Sequence, residues 1–401
     1  MTMQTALSGL LGAQTGLNTV SNDLANASTT AFKSQTALFE DVYPANATNM
    51  PGIGTATEGI SSDLTQGNLT ATGNSLDAAI QGNGYFIVSN NGTQQYTRDG
   101  AFQLSSNGTL ETLNGATVQG YAATTGGALS GTLGPVTINT GSMAANATSN
   151  LGVTLSLNSG DTTPTTTPFS ASDPSSYNET TSVVTYDSLG NANKTQLYFA
   201  NNGSNQWTVY AQPQLANGTS VGTPQTLTTL NFTSSGALSS GSPATLSANW
   251  GNGSAASNVN MNFTGSTLAA QSFSVAGLTN DGYAAGSYSG TTISSNGSIK
   301  STYSNGQTVS AGKLALANFI NAEGLTPATG NLYTASSTSG QPVVNTPGTG
   351  LAGTLAGGEL ESSNASTSSL LVSLIQYQQA YQANTSVIQT EQSDAQRLVQ
   401  I

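Results

Sequence analysis

Tyr85-Phe86-Ile87-Val88, Gln95-Tyr96-Thr97-Arg98, Ala101-Phe102-Gln103-Leu104, Thr109-Leu110-Glu111 and Thr117-Val118-Gln119 follow one another, with Asn91-Gly92, Asp99-Gly100, Asn107-Gly108 and Asn114-Gly115 between them. Asn-Gly and Asp-Gly supply the positive φ angles that tight hairpin turns need, so short β-forming runs between such pairs spell a meander. The same punctuation returns at Asn202-Gly203, Asn217-Gly218, Asn296-Gly297 and Asn305-Gly306. A Ser/Thr/Pro-rich patch from Thr162 to Pro168 reads as a loop, followed by strands at Ser182 to Tyr186, Gln196 to Ala200 and Trp207 to Tyr210.

Outward from this β text, helical periodicity occurs only at the two ends. Met3, Leu7, Leu10, Leu17, Val20 and Leu24 form one stripe. Leu370, Leu374, Tyr377, Tyr381, Ile388, Ala395 and Leu398 form another, in a stretch without Gly or Pro from Glu359 to Ile401 that is entered near Ser362 to Ser369, where hydroxyls and amides can cap a helix. Gln14, Ser21, Gln378, Thr385 and Gln392 interrupt the stripes, and Gly9, Gly12 and Gly16 each cost the first helix about 1 kcal/mol relative to Ala. One reading packs each helix on its own subunit. The other leaves both marginal alone and dependent on partner helices. The fold class that follows is α+β, with long amphipathic N- and C-terminal helices, coiled-coil-like in an assembly, flanking nested all-β domains. The expected partition is a terminal helical domain at 1–30 and 360–401, a connecting segment at 31–73, an inner β domain at 74–141 and 281–359, and an inserted outer β domain at 142–280.

Composition narrows the function. The chain has 401 residues, room for two or three domains, of which only 6% are charged, and its formal net charge is −12. The cations Lys33, Arg98, Lys194, Lys300, Lys313 and Arg397 are scattered, which argues against the clustered phosphate contacts of a nucleic-acid binder. With no Cys there are no disulfides, and with no His the Ser-His hydrolases, Cys-His proteases and nearly all zinc sites drop out. Two acids at a suitable separation would serve a glycosidase, but nothing in the sequence pairs any of the carboxylates. Asp63, Asp77, Asp99, Asp187 and Asp281 stand beside turn-forming or strand-starting residues, where Asp bonds local backbone. Gly82-Asn83-Gly84 precedes a strand rather than a helix, and no phosphate-loop string occurs. The expectation is no catalytic residue, no cofactor and no metal. Met1-Thr2-Met3-Gln4-Thr5-Ala6-Leu7 lacks a basic region and an unbroken apolar core, and no stretch is apolar enough to span a bilayer. A chain of this kind that leaves the cell is expected to do so without a cleaved signal peptide and without membrane insertion.

Ser21-Asn22-Asp23-Leu24-Ala25-Asn26-Ala27-Ser28-Thr29-Thr30-Ala31-Phe32-Lys33-Ser34 closely resembles the signature shared by the rod and hook proteins of the bacterial flagellum, carried here by Asn22, Leu24, Asn26, Phe32 and Lys33. The usual form ends in Gly-Phe-Lys; this chain has Ala31 before Phe32. Leu76-Asp77-Ala78-Ala79-Ile80, Gly84-Tyr85-Phe86, Tyr96-Thr97-Arg98-Asp99-Gly100-Ala101-Phe102, Leu360-Glu361-Ser362-Ser363-Asn364 and Gln378-Gln379-Ala380-Tyr381-Gln382-Ala383-Asn384 also resemble that family. Within it, Tyr186-Asp187-Ser188-Leu189-Gly190-Asn191, Tyr303-Ser304-Asn305-Gly306-Gln307 and Leu314-Ala315-Leu316-Ala317-Asn318-Phe319 favour the hook branch over the shorter rod subunits. The resemblance implies an extracellular, non-enzymatic homopolymer: a curved, flexible helical tube that couples rod to filament and transmits torque. It further implies unfolded export through the flagellar type III apparatus and assembly beneath a hook cap, between the distal rod and the hook-filament junction proteins. Leu7, Leu10, Leu17, Leu24, Leu374, Tyr381 and Ile388 are the residues expected to meet partner helices. The alternatives are a distal rod-type axial protein and, from a different class, a secreted β-rich adhesin or carbohydrate-binding protein. An aromatic platform near Trp207 or Trp250 would mark the latter; both read instead as core.

Overall fold

The computed structural model describes residues 2–43, 52–124 and 127–399; within these bounds the side chains of Thr2, Leu398 and Val399 lie outside the described residues. The chain forms two compact units, one of Met1–Thr140, Gly290–Thr302 and Thr308–Ile401, the other of Gly141–Ser289 and Tyr303–Gln307.

In the first unit, helix α1 (Thr2–Ala25) and helix α2 (Thr367–Val399) pack on each other. Both are shorter at their inner ends than 1–30 and 360–401, because turns follow Ala25 and Glu359–Glu361 is a strand. The face that α1 buries shares only Val20 with its leucine stripe. Ala6, Gly12, Ala13, Gly16, Thr19, Val20 and Asp23 are buried, whereas Met3, Leu7 and Leu11 are exposed and Leu10, Leu17 and Leu24 are half-buried. Small residues let the neighbours come close. A Cβ on Gly9 would lie 2.9 Å from the Asn384 amide, and one on Gly16 would overlap the Tyr377 ring. Two of the glycines that weaken the isolated helix, Gly9 and Gly16, are thus positions where α2 approaches it, while Gly12 faces Phe39 and Thr55. On α2 every described side chain is half-buried or exposed.

Between α1 and the β structure the segment expected only to connect is a long hairpin of β1 (Gln35–Val42) and β2 (Gly54–Ser62), paired from Gln35 with Ser62 to Val42 with Gly54 and bulged at Leu38/Phe39. It packs along α1, where Thr55 N–H donates to Ser8 Oγ at 3.2 Å. No Asn-Gly or alternating apolar run announces it, because the hairpin is half-solvated on both faces.

Short strands follow: β3 (Leu69–Ala71), β4 (Ala78–Gln81), β5 (Tyr85–Asn90), β6 (Thr93–Thr97), β7 (Phe102–Leu104), β8 (Leu110–Thr112) and β9 (Thr117–Ala122). β5 is flanked by β6 and β9 in the large sheet, which residues 288–334 extend. Its core gathers Tyr85, Ile87, Tyr96, Ala315, Ala317 and Leu325, with Phe319 edge-on to Tyr85 and Tyr96. Turn chemistry departs from the sequence in two places. Asn91-Gly92 has both φ angles positive, at 50° and 81°, but Gly100 does not adopt positive φ. Near 202–205 the left-handed pair closing the hairpin is Ser204-Asn205 (φ 52° and 59°), with Asn202-Gly203 displaced into a bulge before it.

The second unit is a sandwich. One sheet runs through residues 179–186, 192–203, 206–214, 225–232 and 238–240; the other centres on 150–158 and 257–262. Leu151, Val153, Leu155 and Leu157 face Leu197, Phe199, Trp207 and Val209 across one apolar core, the alternation expected when each sheet buries one face.

Candidate functional site

Three of the strings singled out in the sequence converge at the inner ends of the terminal helices. The first ends α1. Asn26 Nδ2 donates to the Asn22 carbonyl at 2.9 Å, satisfying one of the carbonyls a helix C-terminus leaves open, and Thr29 Oγ1 donates to Asn26 Oδ1 at 3.0 Å. Ala31, buried, then takes φ 56°, the left-handed conformation that explains why the family pattern favours Gly there, and its N–H donates to the Glu361 carbonyl at 2.7 Å. Phe32 is half-buried and Lys33 is buried.

Lys33 reaches Glu361, which precedes α2 in the string Leu360 to Asn364. Nζ lies 2.6 Å from Glu361 Oε1 and also donates to the Thr65 carbonyl at 2.6 Å. Arg98, from the third string, places Nε 2.9 Å from Glu361 Oε2. The remaining Oε1 valence accepts Gly67 N–H at 2.9 Å, and the Arg98 guanidinium donates to the carbonyls of Gly84 and Gly82, each at 3.1 Å. Asn364 completes the join: its Oδ1 accepts Ser34 N–H at 2.8 Å and its Nδ2 donates to the Asp63 carbonyl at 2.8 Å.

One carboxylate therefore serves two cations in a dry site. Burial pushes the Glu361 carboxyl up, but the Arg98 and Lys33 charges with the Gly67 N–H outweigh it and hold the group below its ordinary value. Lys33 is the odd cation: burial lowers it further than Glu361 restores, with Arg98 adding repulsion. The two downward shifts are consistent, because the anion has two partners and the lysine must share one. Asp23 adjoins this region, its Oδ2 accepting Gln35 N–H at 2.8 Å; its Oδ1 is buried without a hydrogen-bond partner, and burial pushes the carboxyl up.

Among the described residues no group of His, Cys, Asp and Glu is arranged to hold a metal ion, and no helix is long and apolar enough to cross a membrane. Asp63 and Asp99 act locally and Asp187 largely so, but Asp281 does not: its Oδ1 accepts the N–H groups of Ser149 and Asn150, 132 and 131 positions away. Asp63 accepts from Thr65 N–H, Asp99 from Ala101 N–H, and Asp187 from Leu189 and Asn191 N–H and from the Asn191, Asn193 and Asn252 amides. Burial opposes ionisation of Asp187, but these donors together hold its pKa down at about 2. Trp207 and Trp250 are buried core, and Trp250 Nε1 donates to Ser257 Oγ. A cluster that the sequence did not announce does form: Phe169, Tyr177, Tyr198 and Tyr210 meet, with Phe169 stacked on Tyr210 at 3.9 Å, so the rings cover one another rather than offering a bare platform.

Glu361 and Arg98 were not singled out as site residues from sequence. In a chain with so few charges, three that fall inside three family strings were the available signal.

Three family models match the chain: the flagellar hook protein FlgE/F/G D1 domain at residues 79–154, the flagellar basal body protein FlaE D2 domain at 155–283, and the flagellar basal body rod FlgEFG protein C-terminal at 356–401. The flagellar hook protein FlgE of Escherichia coli K12 is 37% identical over 415 aligned positions, covering all of both chains. The chain belongs to the flagellar hook protein family. The family's hook protein in Salmonella typhimurium LT2 is 36% identical over the full length of both chains, and that of Brucella abortus 31% over 97% of this chain and 95% of its own. The Helicobacter pylori hook protein FlgE2 shares the fold, with a TM-score of 0.54 and 15% identity over 71% of this chain and 98% of its own. The family is one of structural flagellar subunits, not of enzymes.

Proposed function

We propose that this chain is the structural subunit of a bacterial flagellar hook, self-assembling into a curved, flexible helical tube that couples rod to filament and carries torque. Full-length likeness to hook proteins is the observation that carries the reading. Export is unfolded, through the flagellar type III apparatus and without a cleaved signal peptide. Assembly proceeds beneath a hook cap, against the distal rod below and the junction proteins above. Electron microscopy of the purified protein after assembly tests this. Hook-like tubes are expected; only amorphous or soluble material under all assembly conditions overturns it.

In this reading the terminal segments at 1–30 and 360–401 form the innermost layer, 31–73 connects them outward, 74–141 with 281–359 forms the inner β domain, and 142–280 the outer one. The leucine stripe of α1 supports an intermolecular helix contact, since α1 uses its small-residue face for α2 and leaves Leu7 exposed and Leu10, Leu17 and Leu24 partly so. Leu374 and Ile388 are half-buried and Tyr381 exposed on α2. Coiled-coil packing against helices of other copies would bury both stripes. Leu374→Asp or Ile388→Asp places an unpaired charge in that contact, costing several kcal/mol. Such variants are expected to remain folded in their β units by circular dichroism and to lose polymerisation; normal tubes would exclude these residues from the interface.

A further inference from the structure

We infer that Asn91 is a modification site: the amide nitrogen of Gly92 attacks its carboxamide, ammonia is lost, and the tip of the β5–β6 hairpin becomes aspartate or isoaspartate. The step needs only water and does not depend on assembly. Ring closure of this kind is least hindered at Asn-Gly, because glycine puts no side chain beside the attacking nitrogen. The chain carries such pairs from Asn83-Gly84 to Asn305-Gly306, so the sequence alone selects none of them. The hydrogen bonds around each pair do.

To reach Cγ, the nitrogen must turn the whole peptide plane between the two residues about the Asn ψ angle. Any hydrogen bond held by that peptide's N–H or C=O, or by the carboxamide, has to break first. Gly108, Gly115, Gly218, Gly297 and Gly306 each donate this N–H to the carbonyl three residues back, at 2.8–2.9 Å. Gly203 donates it to Asn201 Oδ1 at 2.8 Å. The Asn83 carbonyl accepts Gly353 N–H at 2.8 Å. The Asn252 carboxamide is held at both ends, donating to Asp187 Oδ2 at 2.7 Å and accepting Ser254 N–H at 3.1 Å. At the hairpin tip, by contrast, the Gly92 N–H, the Asn91 carbonyl and the Asn91 carboxamide have no hydrogen-bond partner among the described residues. Both residues are exposed, and a Cβ on Gly92 would meet nothing within 4 Å. The strands below are closed by the pairing of Asn90 with Thr93, so the tip can rotate while they stay in place.

The chemistry balances with water alone. Hydroxide removes the Gly92 amide proton, the nitrogen bonds to Asn91 Cγ, and the Cγ–Nδ2 bond breaks as ammonia leaves with a proton from water. Water then adds to either carbonyl of the cyclic imide. Opening at Cγ gives aspartate. Opening at the backbone carbonyl routes the main chain through Cγ and lengthens it inside a tight turn. Either product adds a negative charge to a chain whose formal net charge is already −12.

The test incubates the folded, full-length chain at mildly alkaline pH and follows every Asn-Gly peptide through time by mass spectrometry, with electron-transfer fragmentation separating aspartate from isoaspartate. Asn91 is expected to convert first, about tenfold faster than the other pairs, since each of those must give up a hydrogen bond before its ring can close. Ammonia should appear in step, and the rate should rise with pH. In urea, where the fold no longer distinguishes the pairs, their rates are expected to converge. Conversion of Asn91 no faster than the others in the folded chain overturns the assignment. So does a lead that persists unchanged in urea, because the selection would then lie in the sequence and not in the fold. Asn91→Gly, which suits the positive φ of 50° at that position, is expected to remove the first acidic species seen on isoelectric focusing. Persistence of that species would assign it to another residue and overturn the site.

Discussion

Ala31 shows how a residue can depart from its family pattern without penalty. A left-handed Ala costs about 1–2 kcal/mol relative to a right-handed one, but its methyl group is buried, worth about 0.8 kcal/mol, and Gly would lose a further ~0.4–1 kcal/mol through the greater freedom of its unfolded chain. The terms nearly cancel. Ala31→Gly is therefore expected to change unfolding free energy by less than about 1 kcal/mol in denaturant titration, whereas Ala31→Val, branched at a φ of 56°, is expected to cost at least ~2 kcal/mol. Glu361 is the opposite case, because no neighbour can replace it. Glu361→Gln leaves Lys33 and Arg98 buried without the carboxylate that bonds both, an expected loss of about 3–5 kcal/mol at neutral pH. The pH dependence has a definite sign. Glu361 is held below its ordinary value of 4.5, so its contribution is complete above that pH and is lost as pH falls through its folded pKa. The gap in Tm between wild type and Glu361→Gln should accordingly narrow on acidification below pH 4.5; a constant gap would mean the carboxylate charge is not what stabilises the cluster.

At the scale of elements, the glycines of α1 separate two effects that sequence reading combined. Ala is a better helix former than Gly by about 1 kcal/mol, so any interior Gly→Ala change should help an isolated helix. Gly12 has room, since a Cβ there would touch Phe39 and Thr55 at 3.4 Å, but Gly16 faces the Tyr377 ring with no space for one. Gly12→Ala is expected to be neutral or to stabilise α1 by up to about 1 kcal/mol, and Gly16→Ala to loosen α1 from α2, read as faster hydrogen exchange in both helices. Equal behaviour of the two variants would refute the close-approach reading. This distinction was not legible in the sequence, where a glycine in a helical stripe signals only lost propensity. The leucine stripe was legible as a period, yet its direction was not: a neighbouring face of Ala6, Ala13 and Gly16, which shares only Val20 with the stripe, is the one buried within the subunit. Turns were read well where one Gly fixes the chain, as at Asn91-Gly92, and poorly at Ser204-Asn205, which carries no glycine at all. The β1–β2 hairpin escaped because its exposed faces leave no apolar alternation to see.

At the scale of the molecule, the second unit holds its own core, built from residues 151–263, and its sheets carry many Ser, Thr and Asn side chains with few fixed ion pairs. Hydrogen bonds that exchange with water contribute about 0.5–1.5 kcal/mol each, so in the tube proposed above contacts between such surfaces would slide with little barrier. Deleting residues 142–280 is expected to leave tubes that still form but are straight or altered in bending stiffness, measured by microscopy. Loss of polymerisation in a variant whose helices remain intact would assign this segment a different role.

The Lys33–Glu361 pair also keeps time. Its partners stand 328 positions apart, so a growing or emerging chain presents Lys33 and Arg98 long before the acid that joins them. Until the last tenth or so of the sequence arrives, both cations lack the carboxylate they share, and the inner ends of the two helices have nothing to close upon. Closure thus reports that the chain has been delivered as far as Glu361. A fragment stopped between Gln307 and Glu361 contains the whole of the second unit, yet it lacks the carboxylate that joins Lys33 to Arg98.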